Sequence, residues 1–231
     1  MDISLDRNSV RLTIQKDGKA FEREIRMNDL GGHLSPMAEI NSGLLPPGTR
    51  WIGPSRGGRM IILVEIPAGK HELWVKHDHG RYNAKELRVK DVPLPAALAI
   101  INMAANATGG YTFGGCSLAA LAGARLQSLD DRLYRYPLPN TSPDLGVCWG
   151  STQLHQDYRS IAAIEYVSTM MFRSAFNDHM WDKGALTKEF DWTGIPDCRA
   201  VEVYMEKLVQ LGEFKNEWLV PASRNLRDLI R

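Results

Sequence analysis

The sequence is short of cysteine, of net charge and of long apolar runs, and each shortage argues against a class of protein. Its 231 residues include three cysteines, Cys116, Cys148 and Cys198, with no Cys-x-x-Cys pair. That odd number and wide spacing argue against a disulfide framework or a closed cysteine zinc site, so we expect free thiols. Lys and Arg number 28 against 27 Asp and Glu, a net charge of +1. This balance makes nucleic acid an unexpected partner.

Long apolar segments are missing as well. The most apolar stretches, residues 60–66 and 94–105, fall well short of the roughly 18–20 residues that cross a bilayer. The start of the chain, MDISLDRNSV, lacks the basic residues and apolar run of a signal peptide. We therefore expect a soluble, cytoplasmic protein with no membrane partner. An apolar fraction of 44% is typical of a globular chain.

The first half of the chain has the two-residue period of β-strands. Apolar residues alternate with polar ones over residues 10–14 and again over 21–25, on either side of Asp17-Gly18, which predicts a hairpin. Residues 28–58 are rich in Gly and Pro and are interpreted as a connection. Further strands are predicted at 59–66, 71–76 and 86–92, joined as a meander, and then at 116–122 and 132–138.

The second half changes to the period of helices. Residues 96–105 fit either a short helix or a buried strand. Beyond them, Ile161, Ile164, Val167, Met171 and Ala175 recur at helical spacing, with Asp157 as the predicted N-cap. A second amphipathic helix is predicted from Asp197 to Gly212, with an apolar stripe at Val201, Tyr204, Leu208 and Leu211. Strands followed by helices predict an α+β fold with helices on one side of an antiparallel sheet.

Between the strands and the helices lies the segment with the clearest chemical potential. Residues 137–151, PLPNTSPDLGVCWGS, contain three prolines and two glycines and have no period, which predicts a loop. Cys148 lies within it, and loops of this kind expose their side chains. A reactive thiol needs access and donors for a developing oxyanion. Asn140, which lies eight residues earlier, can donate without titrating, so Cys148 and Asn140 are the candidate catalytic residues.

Four neighbours are candidate supporting residues. Pro139 fixes the backbone before Asn140, Gly146 precedes the thiol, and Trp149 follows it, where it could shield the thiol or form an acceptor surface. No histidine lies within six residues of Cys148, so a cysteine hydrolase would have to recruit His155 or a more distant base.

Pro139-Asn140, five intervening residues and then Gly146-Val147-Cys148 resemble the active-site signature of ubiquitin-conjugating enzymes. In that family a His-Pro-Asn turn precedes the active-site cysteine, which lies eight residues after the asparagine. The Asn-to-Cys spacing matches here. The glycine lies one place later than usual, and Leu138 stands where the family has histidine.

The chain more closely resembles the prokaryotic ubiquitin-conjugating-enzyme-like family D, protein B of the PRTRC system of plasmids. That family combines a Leu-Tyr-x-x-Pro-x-x-Asn turn, a Gly-Val-Cys-x-Gly segment and a later aromatic-x-Ser-x-Phe stretch. Here the three motifs appear in order as LYRYPLPN at residues 133–140, GVCWG at 146–150 and FRSAF at 172–176. The resemblance covers roughly residues 60–180.

The resemblance implies a ubiquitin-conjugating-enzyme-like (UBC-like) domain at residues 59–231, preceded by an N-terminal β-hairpin and connection at 1–58. It implies that Cys148 accepts a prokaryotic ubiquitin-like protein as a thioester from an activating enzyme and passes it to an amine of a protein acceptor. Asn140 would stabilise the oxyanion or brace the loop. The chemistry implies no cofactor, and the family implies a bacterial, mobile-element setting.

Two alternatives stay open at this point. One is a catalytically silent UBC-like scaffold or binding subunit of a plasmid- or phage-borne complex, in which Trp149 could bury the thiol. The other is the cysteine hydrolase that uses Cys148 with His155. A thioester carrier needs an exposed Cys148 close to Asn140, whereas a hydrolase needs an imidazole within hydrogen-bond reach.

Other candidate sites carry less weight. His77-Asp78-His79, with His71 nearby, has zinc-ligand character but is interpreted as a solvated turn. The Ser-x-x-Asp spacing at residues 128–131 is too distant from these histidines for a metalloprotease of the ubiquitin-removing type. Glycine-rich residues 53–58 lack the Gly-Lys-Ser/Thr ending of a phosphate loop. No metal site is predicted, and Cys116 and Cys198 are expected to be inert.

Overall fold

The computed structural model describes residues 2–5, 9–16, 19–26, 45–55, 59–76, 86–107, 109–150, 152, 154–159, 161–176 and 197–230. The chain forms two compact units, residues 1–43 and 44–231. The predicted boundary between residues 58 and 59 thus falls inside the second unit. His77-Asp78-His79 lie outside the described residues.

The described part of the first unit is an antiparallel sheet in the order β1-β2-β3. Its strands are β1 (Asp2–Leu5), β2 (Ser9–Lys16) and β3 (Lys19–Arg26). Residues Lys16 and Lys19 are paired across the connection at 17–18, so the predicted hairpin is confirmed. β1 is an additional strand that the alternation did not predict.

The described residues of the second unit form two sheets. The larger has the order β10-β9-β8-β5-β4, with β11 also paired to β9, and the smaller has the order β12-β6-β7. The strands are β4 (Thr49–Pro54), β5 (Arg59–Ile66), β6 (Gly69–Lys76), β7 (Glu86–Leu94), β8 (Ala97–Ala105), β9 (Tyr111–Ala120), β10 (Tyr134–Arg135), β11 (Asp157–Tyr158) and β12 (Ala175–Phe176).

In the predicted meander the β6–β7 pair is confirmed, but the placement of β5 beside β6 is wrong, because β5 pairs with β4 and β8 instead. Residues 61–64 of β5 are all buried, as in a central strand with both faces of its sheet covered. Residues 97–101 of β8 are equally buried, and the apolar stretch at 96–105 forms a buried strand rather than a helix. β6 and β7 carry charged residues in alternation and form the smaller sheet. β4 lies within the segment that was interpreted as a connection.

The described helices follow the strands, as predicted, except that β12 comes after the first of them. A 3₁₀ turn (Ile161–Ile164) leads into α1 (Glu165–Arg173), and α2 (Asp197–Leu211) is followed by a 3₁₀ turn (Asn216–Trp218) and α3 (Leu226–Ile230). α1 contacts β6 and α2 contacts β7. The fold is therefore α+β, with mostly antiparallel sheets and a few helices.

The helix boundaries partly match the prediction. Gly212, with φ +72°, ends α2, and its N–H donates to the Leu208 carbonyl oxygen at 2.9 Å. Asp157 is not an N-cap, because it lies in β11 and its carboxylate accepts a hydrogen bond from the Thr112 hydroxyl at 2.8 Å. Ala175 lies in β12, beyond the end of α1. Among the described residues, no helix has the length and apolarity to span a membrane.

One edge of β9 positions the candidate site. Three short segments pair along this edge in succession: β11 with residues 111–112, Gly146 with Ser117, and β10 with residues 119–120. Covering an edge strand in this way removes the unpaired backbone groups that it would otherwise expose. The middle segment is the one that carries Cys148.

Candidate active site around Cys148

Two turns led by proline build the segment that carries Cys148. In the first, the Thr141 N–H donates to the Leu138 carbonyl oxygen at 3.1 Å across Pro139 and Asn140. Proline suits the second position of such a turn because its φ is already fixed. The turn places Asn140 at the start of a hairpin arm, and Pro139 is buried beneath it.

The second turn closes this hairpin. The Leu145 N–H donates to the Ser142 carbonyl oxygen at 2.9 Å across Pro143, and the Ser142 N–H donates to the Gly146 carbonyl oxygen at 2.9 Å. A turn followed by one residue in the left-handed region is a common hairpin connection, and Leu145 has φ +70°. The predicted loop is therefore a tight hairpin ordered by its own turns.

Leu145 anchors the hairpin despite its unfavourable backbone. A left-handed conformation costs a non-glycine residue about 1–2 kcal/mol. The side chain is fully buried in the core cluster that includes Leu63, Ile100 and Leu226. Since full burial of a leucine contributes about 1.5–3 kcal/mol, packing outweighs or matches the backbone cost.

Backbone hydrogen bonds tie the second arm to β9. The Leu118 N–H donates to the Leu145 carbonyl oxygen at 2.8 Å, and the Val147 N–H donates to the Cys116 carbonyl oxygen at 3.2 Å. The Cys148 backbone is thus held one residue beyond a sheet edge. A side chain on a sheet edge is held more precisely than one on an irregular loop.

The hairpin brings Asn140 and Cys148 together. The Thr141–Val147 bridge sets the register, and the Cys148 N–H donates to the Asn140 carbonyl oxygen at 2.8 Å. Residues 140 and 148 are therefore directly opposite each other across the two arms. Side chains of such a pair lie on the same face, with Cβ atoms about 4.5–5.5 Å apart. The eight-residue spacing in the sequence thus becomes a cross-strand pair.

The Cys148 thiol is exposed, and Trp149 does not bury it. The indole of Trp149 lies edge-on to the ring of Phe113 in β9, with 6.3 Å between ring centroids and an interplanar angle of 79°. Cys148 itself is exposed and free. Gly150, with φ +54°, turns the chain immediately afterwards. The first requirement for thiol chemistry, access, is met.

Two buried polar atoms in the arm that pairs with Cys148 have no hydrogen-bond partner among the described residues. Asn140 is 8% exposed and Thr141 is 4% exposed, and neither Asn140 Oδ1 nor Thr141 Oγ1 has a hydrogen-bond partner among the described residues. An unsatisfied buried group costs about 1–3 kcal/mol, so it calls for an explanation. A group held ready for a ligand or a reacting atom is one such explanation.

His155 contacts Tyr166, and in the described part of the chain it gives the Cys148 thiol no hydrogen bond. Its ring is exposed and lies 5.8 Å, centroid to centroid, from the ring of Tyr166. Within the described part of the chain, the Cys148 thiol has no hydrogen-bond partner, and His155 forms no dyad with it.

The other two cysteines differ from Cys148. Cys116 is buried in β9, its thiol lies 3.8 Å from Met171 Sδ of α1, and burial raises its pKa to about 12. The expected inertness of Cys116 fits this environment. Cys198 lies in the first turn of α2, and its side chain is outside the described part of the structure.

The remaining sequence candidates acquire structural roles. His71 stacks on Phe172 with 4.5 Å between centroids, and burial lowers its pKa. Asp131 Oδ2 accepts hydrogen bonds from the N–H groups of Gln127 and Ser128, an arrangement that orders a turn. In the described ranges, no group of three His, Cys, Asp or Glu residues could hold a metal ion.

Comparison with known proteins identifies no relative: no protein-family model, curated protein or solved structure matches the chain. The function proposed below therefore rests on the sequence motifs and on the geometry of the site.

Sequence reasoning missed Thr141 and Leu145. Thr141 was passed over because a threonine between Asn140 and a serine has no distinctive pattern. The available signal for Leu145 was its place between the Pro-Asp pair and a glycine. A hairpin turn without glycine at its left-handed position needs a buried side chain to stabilise it.

Proposed function

We propose that this chain is a UBC-like thioester carrier of the prokaryotic family D type, as its motifs suggest, and acts in the cytoplasm of bacteria that carry the mobile element. The observation that carries the proposal is the cross-strand pairing of an exposed Cys148 with a buried Asn140. An accessible nucleophile beside a non-titrating donor suits acyl transfer. Its partners would be a ubiquitin-like protein, an activating enzyme and a protein acceptor.

The proposed chemistry has two acyl transfers. In the first, the Cys148 thiolate attacks the carbonyl carbon of the modifier's thioester on the activating enzyme. A new S–C bond forms, and the activating enzyme's thiolate leaves. In the second, an acceptor amine attacks the same carbonyl carbon, an N–C bond forms, the Cys148 thiolate leaves and the amine proton passes to solvent. Asn140 would donate from its side-chain amide to the oxyanion of each tetrahedral intermediate.

The alternatives have less support from the site. A silent scaffold would not need an exposed thiol, and the exposure of Cys148 with Trp149 packed on Phe113 favours the carrier. A hydrolase needs a base beside the nucleophile, and His155 forms no hydrogen bond with Cys148. Catalytic hydrogen bonds can tighten on substrate binding, so a His155 variant belongs in the test.

The test is formation of a thioester in vitro. The purified chain is incubated with ATP, a prokaryotic activating enzyme and its ubiquitin-like protein, and separated on a gel without reductant. We expect an adduct that dithiothreitol removes, that Cys148→Ala abolishes and that Cys198→Ala leaves unchanged. A dithiothreitol-resistant adduct, or one that survives in Cys148→Ala, would contradict the proposal.

Asn140 and His155 are tested in the second transfer. With preformed thioester and free lysine as acceptor, Asn140→Ala should slow aminolysis by about 10²–10³-fold, the usual loss for one oxyanion donor. His155→Ala should change the rate by less than about twofold. A large loss in His155→Ala with none in Asn140→Ala would move the assignment to the hydrolase.

A further inference from the structure

A second site candidate is lined by residues of the smaller sheet and of α1. It is an open groove of about 770 Å³, within the range of about 300–1,000 Å³ that is typical of small-molecule sites. β6, β7 and α1 supply its charged lining, which comprises three cations, Lys70, Arg88 and Arg173, and one carboxylate, Glu72. Arg173 belongs to the FRSAF stretch at residues 172–176, whereas Lys70, Glu72 and Arg88 lie outside the three motifs.

The groove concentrates positive charge. Its three cations and one carboxylate leave two positive charges, whereas the whole chain carries a net charge of +1. Arg88 is partly compensated, because its guanidinium lies 3.9 Å from the Glu72 carboxylate. Lys70 and Arg173 are exposed, and neither has a carboxylate partner among the described residues. His71, which also lines the groove, adds no charge at neutral pH because burial lowers its pKa.

The groove also offers aromatic surface. The Arg88 guanidinium lies over the Trp74 ring at 4.1 Å from its centroid, which makes a flat cationic platform. Phe172 is buried and stacks on His71, and its ring lies edge-on to Tyr136 at 6.1 Å between centroids. A planar group that enters the groove would therefore meet a guanidinium that is itself stacked on an indole ring.

We infer that the groove binds a phosphate monoester that carries a planar ring, of which a nucleoside monophosphate is the simplest example. A phosphate monoester carries close to two negative charges at neutral pH, which matches the two positive charges of the groove. Lys70 and Arg173 supply the donors for the phosphate, and the Trp74–Arg88 platform receives the ring. This function is independent of Cys148.

The test is calorimetric titration of the full chain at low salt with AMP, ribose 5-phosphate and adenosine. We expect AMP to bind most tightly, ribose 5-phosphate more weakly and adenosine most weakly. Arg173→Ala and Lys70→Ala should each raise the AMP dissociation constant by about tenfold or more, the usual loss of one charge-assisted contact. The matched control is Arg125→Ala, another exposed cation, which should leave binding unchanged.

Two further arms make the inference falsifiable. Trp74→Leu should weaken AMP and leave ribose 5-phosphate unchanged, and Cys148→Ser should bind AMP as the parent does. Circular dichroism checks that each variant is folded. Absence of saturable AMP binding, or binding that Arg173→Ala and Lys70→Ala leave unchanged, overturns the site. Equal affinity for AMP and ribose 5-phosphate overturns the role of the aromatic platform.

Discussion

Cys116 and Cys148 lie on neighbouring arms of the same sheet edge, yet their environments are opposite. The Val147 N–H, next to Cys148, donates to the Cys116 carbonyl oxygen at 3.2 Å. Cys116 points into the core beside Met171, whereas Cys148 is exposed. One step along the hairpin therefore separates a buried thiol from an accessible one. The position of each cysteine, buried in β9 or exposed on the hairpin, therefore determines which thiol can react.

The largest expected effect is on alkylation. Burial raises the pKa of Cys116 from its ordinary 9.0 to about 12, which lowers its thiolate fraction at pH 7 about a thousandfold relative to the unfolded chain. We expect iodoacetamide to modify Cys148 in the native protein and to reach Cys116 after unfolding. Mass spectrometry of tryptic peptides over time measures both rates, and Cys198→Ser removes the third thiol. Equal rates at the two sites would show that the hairpin does not separate them.

The second prediction concerns Leu145, whose buried side chain anchors the hairpin. Leu145→Ala should lower the free energy of unfolding by about 2–5 kcal/mol, because it empties a fully buried leucine position. Leu145→Gly is the matched variant: at φ +70° glycine avoids the backbone cost, so it should be more stable than Leu145→Ala by up to about 1 kcal/mol. Urea denaturation measures both differences. The reverse order of the two variants would contradict the left-handed conformation of Leu145.

The third prediction concerns how the free energy of unfolding depends on pH through the buried Cys116. The folded protein holds Cys116 as the neutral thiol up to about pH 12, whereas the unfolded chain loses that proton near pH 9. The free energy of unfolding should therefore fall as the pH rises from about 9 towards 12, with the full contribution present below pH 9. Cys116→Ala should show a shallower fall in urea titrations over this range. Parallel curves for the two proteins would mean that Cys116 is not buried in solution.

How much of this fold could be predicted from the sequence depends on whether neighbours in sequence are also neighbours in space. The β2–β3 hairpin and α2 were predicted because period, turn and cap are local signals. The pairing of β5 with β8 was missed, since β6 and β7 come between them in the chain and form a different sheet, and no local pattern records that choice. Asp157 was misjudged for a related reason: a strand pairing with β9 took the place of a helix cap.

Cys148 and Asn140 were predicted as candidate residues, but the hairpin that pairs them was not predicted. Cys148 and Asn140 were chosen from their spacing, and the two turns between them convert that spacing into a cross-strand pair. The groove at Lys70, Arg88 and Arg173 was not predicted, because three elements distant in sequence supply its charges. Single charged residues on different elements give no pattern that a sequence alone reveals.

The smallest expected effect concerns Thr141, which follows Asn140 in the chain and pairs with Val147 across the hairpin. Its buried hydroxyl has no partner among the described residues, so Thr141→Val removes an unsatisfied group while keeping the shape of the side chain. We expect the free energy of unfolding to rise by about 1 kcal/mol. Thr112→Val should do the opposite, because the Thr112 hydroxyl donates to Asp157 at 2.8 Å. If thermal denaturation shows Thr141→Val to be the less stable of the two, the Thr141 hydroxyl has a partner in solution and its role is structural.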